Sequence, residues 1–274
     1  MPYIHHPEIP AAPADDTVIW QYLSTAELLD LFDSSALHLT RADHLTQQHS
    51  DIVESQVSLG VLSGMPAESV RRSFDLMYSV QTAVFTSCWY VEGSAMHRQW
   101  QRCGGGRSQI AIRSTVKTLR ASLSHVPQKL YLSGIQYIDF TNSLMPTGNV
   151  FLPALHKRYE LREEREICLL MLQTGGQNTF CPGPSRGIDL NVDLRSMIQC
   201  LDVAPRSAEW LRKLVRSLAD RYGVPYKDST VDLNIIREKE VCRFKSAKGC
   251  GSCKHSFTPI ESMYDKSLTE QLCT

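Results

Sequence analysis

The amino-acid sequence predicts an α+β protein, with a mixed, largely antiparallel sheet flanked by helices in a single main domain. Three observations carry this reading. QIAIR (109–113) alternates in side-chain character, the mark of a strand with one face buried. REICLLML (165–172) is nearly continuous apolar after its first two residues, as a central strand covered on both faces requires. The segment 206–222 places Leu211, Leu214, Val215, Leu218 and Tyr222 on one face of a helix.

Each element follows in chain order. MPYIHHPEIPAAPADD (1–16) is rich in proline and acid and is expected to be a disordered arm. TVIWQYL (17–23) is β-branched and aromatic, a strand. Ser24 and Glu27 form a capping box, and Leu28, Leu29, Leu31 and Phe32 supply the apolar face of the helix it starts. ALHLT (36–40) alternates as a second strand. Pro66 opens a helix over about 66–84, carried by Val70, Phe74, Met77 and Val84.

FTSCWY (85–90) has strand composition, and SAMHRQW (94–100) reads as a short helix before the Gly104-Gly105-Gly106 break. STVKTLRASL (114–123) reads as a helix capped by Ser114. LYLSGIQYI (130–138) is a strand interrupted by glycine, TGGQNTFCPGPSRG (174–187) a turn-rich loop, and GIDLNV (187–192) and MIQCLDV (197–203) are further strands. Periodicity fades beyond about 236. The domain is therefore expected over 17–235, followed by a cysteine-containing tail or small appendage over 236–274.

Composition narrows the function classes. Of 274 residues, 42% are hydrophobic and 21% charged, ordinary for a globular protein. The 29 basic and 29 acidic side chains cancel, which argues against a nucleic-acid partner, since phosphate neutralisation needs a basic excess. No apolar run approaches the roughly 18–20 residues of a membrane span. The N-terminus lacks the basic and apolar regions of a signal peptide. With no export signal, the nine scattered cysteines read as free thiols of a cytoplasmic protein.

The stretches LHLTRADHL (37–45), FTSCWYVEGSAMHRQW (85–100), IAIRST (110–115), IQYIDF (135–140), KRYELREEREI (157–167) and GIDLNVDLRSMIQCLDVAP (187–205) occur in an informative order. In that order they resemble the mostly bacterial domain-of-unknown-function family 2971, over roughly 17–232. The chain departs from the family pattern at QQHSDIVE (47–54), His97 and Cys168. The resemblance implies an α+β architecture and, by family association, a binding or accessory module of a defence or toxin system.

The residues offer one leading candidate site. If Glu164 and Glu166 both lie on a strand they share a face at its entry end, and paired carboxylates suit acid–base work or cation binding. The alternative is a solvated charged edge paired with Lys157, Arg162 and Arg165. With Arg41 and Ser87 upstream, Glu164 and Glu166 resemble the pattern of arginine–serine–glutamate ADP-ribosyltransferases, which implies NAD as substrate. In that pattern Arg41 would pair with the phosphates. Ser87, or Ser114 with Thr115, would position the ribose, and Glu166 would stabilise the oxocarbenium-like transition state.

Trp89 is a core aromatic first and a stacking platform for a base second. Cys88 with His97 or His156 could form a nucleophile pair, but a strand cysteine is more often packed in the core. Cys242, Cys250, Cys253 and His255 supply four ligands for a zinc ion; the second C-x-x-C is missing, and incidental cysteines of a tail are the preferred reading. The basic stretch 98–120 would suit an anion. The two functional classes left open are a module binding a nucleotide or a protein partner, and an NAD-dependent transferase.

Overall fold

The computed structural model describes residues 3–4, 6–45, 49–93, 110–175, 180–184, 187–205 and 207–228. The expected helix at 94–100, the glycine break at 104–106 and the cysteine-bearing tail lie outside them. Among the described residues nine strands form one sheet, and all of its pairings are antiparallel except one. The α+β expectation is met.

β1 (Val18–Leu23) leads into α1 (Thr25–Ser34) through the expected capping box. The Ser24 hydroxyl accepts from the Glu27 N–H, and the Glu27 carboxylate accepts from the Ser24 N–H at 2.7 Å. β2 (Ala36–Arg41) follows, then α2 (His49–Leu62), which the sequence reading missed. Its apolar stripe, Val53 and Val57, is interrupted by Gln56, which is fully buried because its amide bonds to the Phe140 and Ser143 carbonyls and the Met145 N–H. A polar residue at a core position hid the helical period.

α3 (Ala67–Ser79) begins after Pro66 and is shorter than predicted, because a tighter turn over Val80–Ala83 leads directly into β3 (Val84–Val91). β4 (Ile110–Thr115) runs into α4 (Val116–Ser122). The cap is Thr115, one residue later than expected; Ser114 is instead buried and donates to the Met197 carbonyl at 2.7 Å. The predicted strand 130–138 is split. β5 (Leu130–Gly134) joins the main sheet, while β6 (Gln136–Ile138) pairs in parallel with β7 (His156–Arg158), which follows the single turn α5 (Leu152–Leu155).

β8 (Glu166–Leu172) is the predicted central strand, flanked by β3 and β5 and buried on both faces. Ile167, Leu169 and Met171 enter the main core, while Cys168 and Leu170 enter a second cluster with Val84 and Leu155. β9 (Ile188–Asn191), α6 (Leu194–Met197), β10 (Cys200–Val203), α7 (Glu209–Tyr222) and β11 (Tyr226–Asp228) complete the described residues. α7 ends at Gly223, whose φ of 68° suits a residue without Cβ.

The N-terminal arm is not disordered over its described residues. The Ile4 N–H bonds to the Leu130 carbonyl, Ile9 is buried, the Ser133 hydroxyl donates to the Pro10 carbonyl, and Asp15 pairs with Arg120. Tyr3 and Ile9 give the arm the apolar anchors that its proline content concealed.

One irregularity of the sheet positions everything that follows. Along one edge β3 pairs continuously with β8, from Val84 to Tyr90. Along the other edge it pairs with two strands in succession: β2 at Phe85 and Thr86, then β1 at Tyr90 and Val91. Neither register reaches Ser87, Cys88 or Trp89. The sheet forks there, and the gap between β1 and β2 is open.

Candidate functional site

A cavity of about 960 Å³ occupies the fork. Gln21 and Leu23 of β1 form one side and Leu37 and Thr40 of β2 the other. Thr86, Ser87, Cys88 and Tyr90 of β3 line it between them, and residues of α1, α2 and α3, the segment after β6, the α5–β7 segment and Glu166 contribute to the wall. The volume lies at the upper end of the roughly 300–1,000 Å³ typical of small-molecule sites.

Glu166 is the most engaged polar group of the cavity. Only 4% exposed, its carboxylate receives the Lys157 ammonium on both oxygens, at 2.8 and 2.6 Å. Tyr137 donates its hydroxyl to the same carboxylate at 3.1 Å and accepts the Glu166 backbone N–H at 3.0 Å. Burial, with the Glu166 charge beside it, raises the Tyr137 pKa, so this phenol stays protonated. The buried carboxylate thus has charged and neutral donors together, which is what its burial requires.

Glu164 does not share a strand with Glu166. Residues Tyr159–Glu164 form a tight 3₁₀ turn, Arg165 adopts the left-handed conformation with φ 47°, and the strand begins only at Glu166. The two acids nonetheless converge on one cation, Glu164 reaching Lys157 at 4.0 Å. The expected alternative, a charged edge paired with Lys157, holds as to partner and fails as to solvation for Glu166.

Ser87 is in the cavity, buried, and accepts from the Gln21 amide at 3.1 Å. His156 also lines it. Its Nδ1–H donates to the Leu152 carbonyl at 2.8 Å, and burial depresses its pKa, which favours the neutral ring; Nε2, 3.0 Å from the Gln136 side-chain amide, then accepts from that amide's NH2 with the amide turned. Arg158 reaches the cavity as an exposed cation with no ion-pair or hydrogen-bond partner among the described residues.

Arg41 is elsewhere. It pairs with Phe85 on β3, whereas Glu166 pairs with Tyr90, five positions further along. That separation is roughly 16 Å along the strand, with two strand widths in addition. Thr40 lines the cavity, so the next residue lies on the other side of the pleat. There the Arg41 guanidinium holds Asp43 through two bonds, at 2.7 and 2.9 Å, and donates to the Gly183 carbonyl. Burial alone would raise the Asp43 pKa, but the hydrogen bonds and charge of Arg41 hold it below the usual range.

Trp89 is fully buried in the main core, and neither it nor Ser114 nor Thr115 lines the cavity. Of the residues singled out in the sequence, Ser87 and Glu166 both line the cavity, but from opposite faces of the sheet, with Glu164 reaching Lys157. Arg41 is not brought to Glu166, and Trp89, Ser114 and Thr115 do not line the cavity. Gln21 lies in no motif, and Tyr137 and Arg158 lie in IQYIDF (135–140) and KRYELREEREI (157–167) with no role assigned to them there; their signal was a polar, aromatic or basic residue within a strand pattern.

The cysteine expectation needs one correction. Cys88 and Cys168 are directly opposite across β3 and β8, with Cα atoms 4.3 Å apart, and are joined in a disulfide. This spacing is that of a closely approaching antiparallel pair. Cys181 and Cys200 are free thiols. The zinc set Cys242, Cys250, Cys253 and His255 lies outside the described residues, and among those described no group of three His, Cys, Asp or Glu side chains could hold a metal ion. No described helix is long and apolar enough to cross a membrane. Comparison with known proteins found no matching protein-family model, no curated protein and no solved structure similar to this chain.

Proposed function

We propose that the chain is a binding module that takes a nucleotide-class small molecule in the cavity at the fork between β1 and β2. The observation that carries this reading is the cavity itself: about 960 Å³, with apolar walls and a few placed polar groups. Leu23, Leu37, Thr86 and Tyr90 offer surface for a planar base, and Arg158 is a cation available to phosphate.

A transferase of the arginine–serine–glutamate kind needs its arginine beside its serine and glutamate, because one substrate must touch all three. Arg41 is committed to Asp43 and Gly183 on the other side of β2, and the Glu166 carboxylate is committed to Lys157 and Tyr137. Binding without turnover is the behaviour these commitments favour. It suits the accessory role in a defence or toxin system that the sequence resemblance implies.

The test is calorimetric titration with ATP, ADP and NAD, with chromatography of NAD after incubation. The expected result is saturable binding of a purine nucleotide, weakened in Arg158→Ala and lost in Ala26→Trp, which fills the cavity from an exposed position on α1. NAD is recovered intact. Absence of binding by all three nucleotides would sink the proposal, and release of nicotinamide would replace it with the transferase reading.

A further inference from the structure

We propose that Cys88 is a thiol-exchange site, at which a low-molecular-weight thiol entering the cavity forms a mixed disulfide with the protein. The inference stands on the cavity and the disulfide, and is independent of which ligand the cavity otherwise binds.

The two residues of the Cys88–Cys168 bond share one apolar cluster but differ in exposure. Cys88 lies where β3 has neither β1 nor β2 on its second edge, lines the cavity and is partly exposed. Cys168 is 0% exposed on the central strand, within the cluster that contains Val84, Leu155 and Leu170. Thiol–disulfide exchange requires a thiolate to reach one sulfur, so access selects the sulfur attacked. Here access selects Cys88.

The cavity, lined by Arg158 and by the Glu27 and Asp30 carboxylates, suits a small zwitterionic thiol. The Lys157 charge is matched by Glu166, whereas Arg158 has no partner among the described residues. A carboxylate-bearing thiol such as glutathione would present its acid to that cation while its sulfur reaches Cys88. In the step itself, the incoming thiolate forms a bond to Cys88 Sγ. The Cys88–Cys168 bond breaks and its electron pair leaves on Cys168 Sγ, which takes up the proton released when the incoming thiol ionised. One thiol and one disulfide become one mixed disulfide and one thiol.

Cys168 leaves into apolar surroundings that disfavour a thiolate; this slows the step and lets the mixed disulfide persist once formed, because the buried thiol opposite is a poor nucleophile for the return attack on Cys88. A second thiol attacking the mixed disulfide would release the small-molecule disulfide and leave both cysteines reduced.

The experiment uses the full chain with its accessible thiols first blocked by N-ethylmaleimide. Reduced glutathione is added to the folded protein, the reaction is quenched in acid, new thiols are alkylated with iodoacetamide, and the cysteines are mapped by peptide mass. The expected result is loss of the peptide pair cross-linked through 88 and 168, with glutathione on Cys88 and the new label on Cys168. Ala26→Trp slows this exchange in the folded protein and leaves it unchanged in urea. Three results overturn the proposal: both cysteines free at the outset, glutathione on Cys168, or a cross-link that persists in the folded protein yet is reduced in urea. An exchange rate indifferent to Ala26→Trp would remove the route through the cavity.

Discussion

Replacing Lys157 by methionine keeps the apolar stem and removes the only ammonium among the described residues in hydrogen-bond contact with the Glu166 carboxylate. Glu166 is 4% exposed and would then keep, among the described residues, the Tyr137 hydroxyl as its side-chain donor. Breaking one side of a buried ion pair costs about 3–5 kcal/mol, because a charge is left without compensation. The Lys157 side chain is 31% exposed, so water already screens its side of the pair, and Tyr137 still donates. The expected loss is therefore smaller, about 2–3 kcal/mol, below that range. For a domain of this size it lowers the melting temperature by about 5–10 °C.

Urea unfolding followed by far-ultraviolet dichroism measures it, with a lower midpoint and an unchanged slope. The decisive variant is the double substitution Lys157→Met with Glu166→Gln. A neutral amide needs no counter-charge and can keep its contact with Tyr137, so the double variant should recover a large part of the loss. If Lys157→Met costs less than about 0.5 kcal/mol, the range of an ordinary surface change, the buried-pair argument is wrong. Strict additivity of the two substitutions would refute it equally.

Arg41→Ala removes the two bonds to Asp43 and the one to Gly183, and should destabilise the chain by about 1–2 kcal/mol as a partly buried, bidentate pair. Nucleotide affinity measured by calorimetry should stay unchanged, and a large loss of affinity would place Arg41 in the binding site after all. Burial depresses the His156 pKa. The stability this contributes is fully present above the unfolded value of about 6.5 and is lost as the pH falls through the lower folded value. Urea midpoints of the parent chain should therefore fall more between pH 7.5 and 5 than those of His156→Gln; equal slopes would contradict this. Replacing both Cys88 and Cys168 by alanine removes a link across 80 positions of sequence and should cost about 2–4 kcal/mol in urea. Reduction of the parent chain should match it, and no shift in either case would show that the link does not constrain the unfolded state.

Part of this protein is determined locally. The Ser24–Glu27 box starts α1, the period of Leu211, Val215 and Tyr222 makes α7, and the apolar run after Glu166 makes the buried strand β8. In each case the structural consequence falls within a few residues of its cause, so propensity and period suffice. The misses have local causes as well. Gln56 interrupts the stripe of α2, prolines obscure the anchors of the arm, and the left-handed Arg165 breaks the alternation that would have put Glu164 beside Glu166. The fork between β1 and β2, the bond between Cys88 and Cys168, and the separation of Arg41 from Glu166 arise instead from strand register. Register is a choice among pairings of segments tens of residues apart, made by the burial of all of them together. The charge-to-apolar switch at 164–167 marks where a strand starts from sequence alone. Only the tertiary structure decides that Glu166 meets Lys157 and Tyr137 at the wall of a cavity.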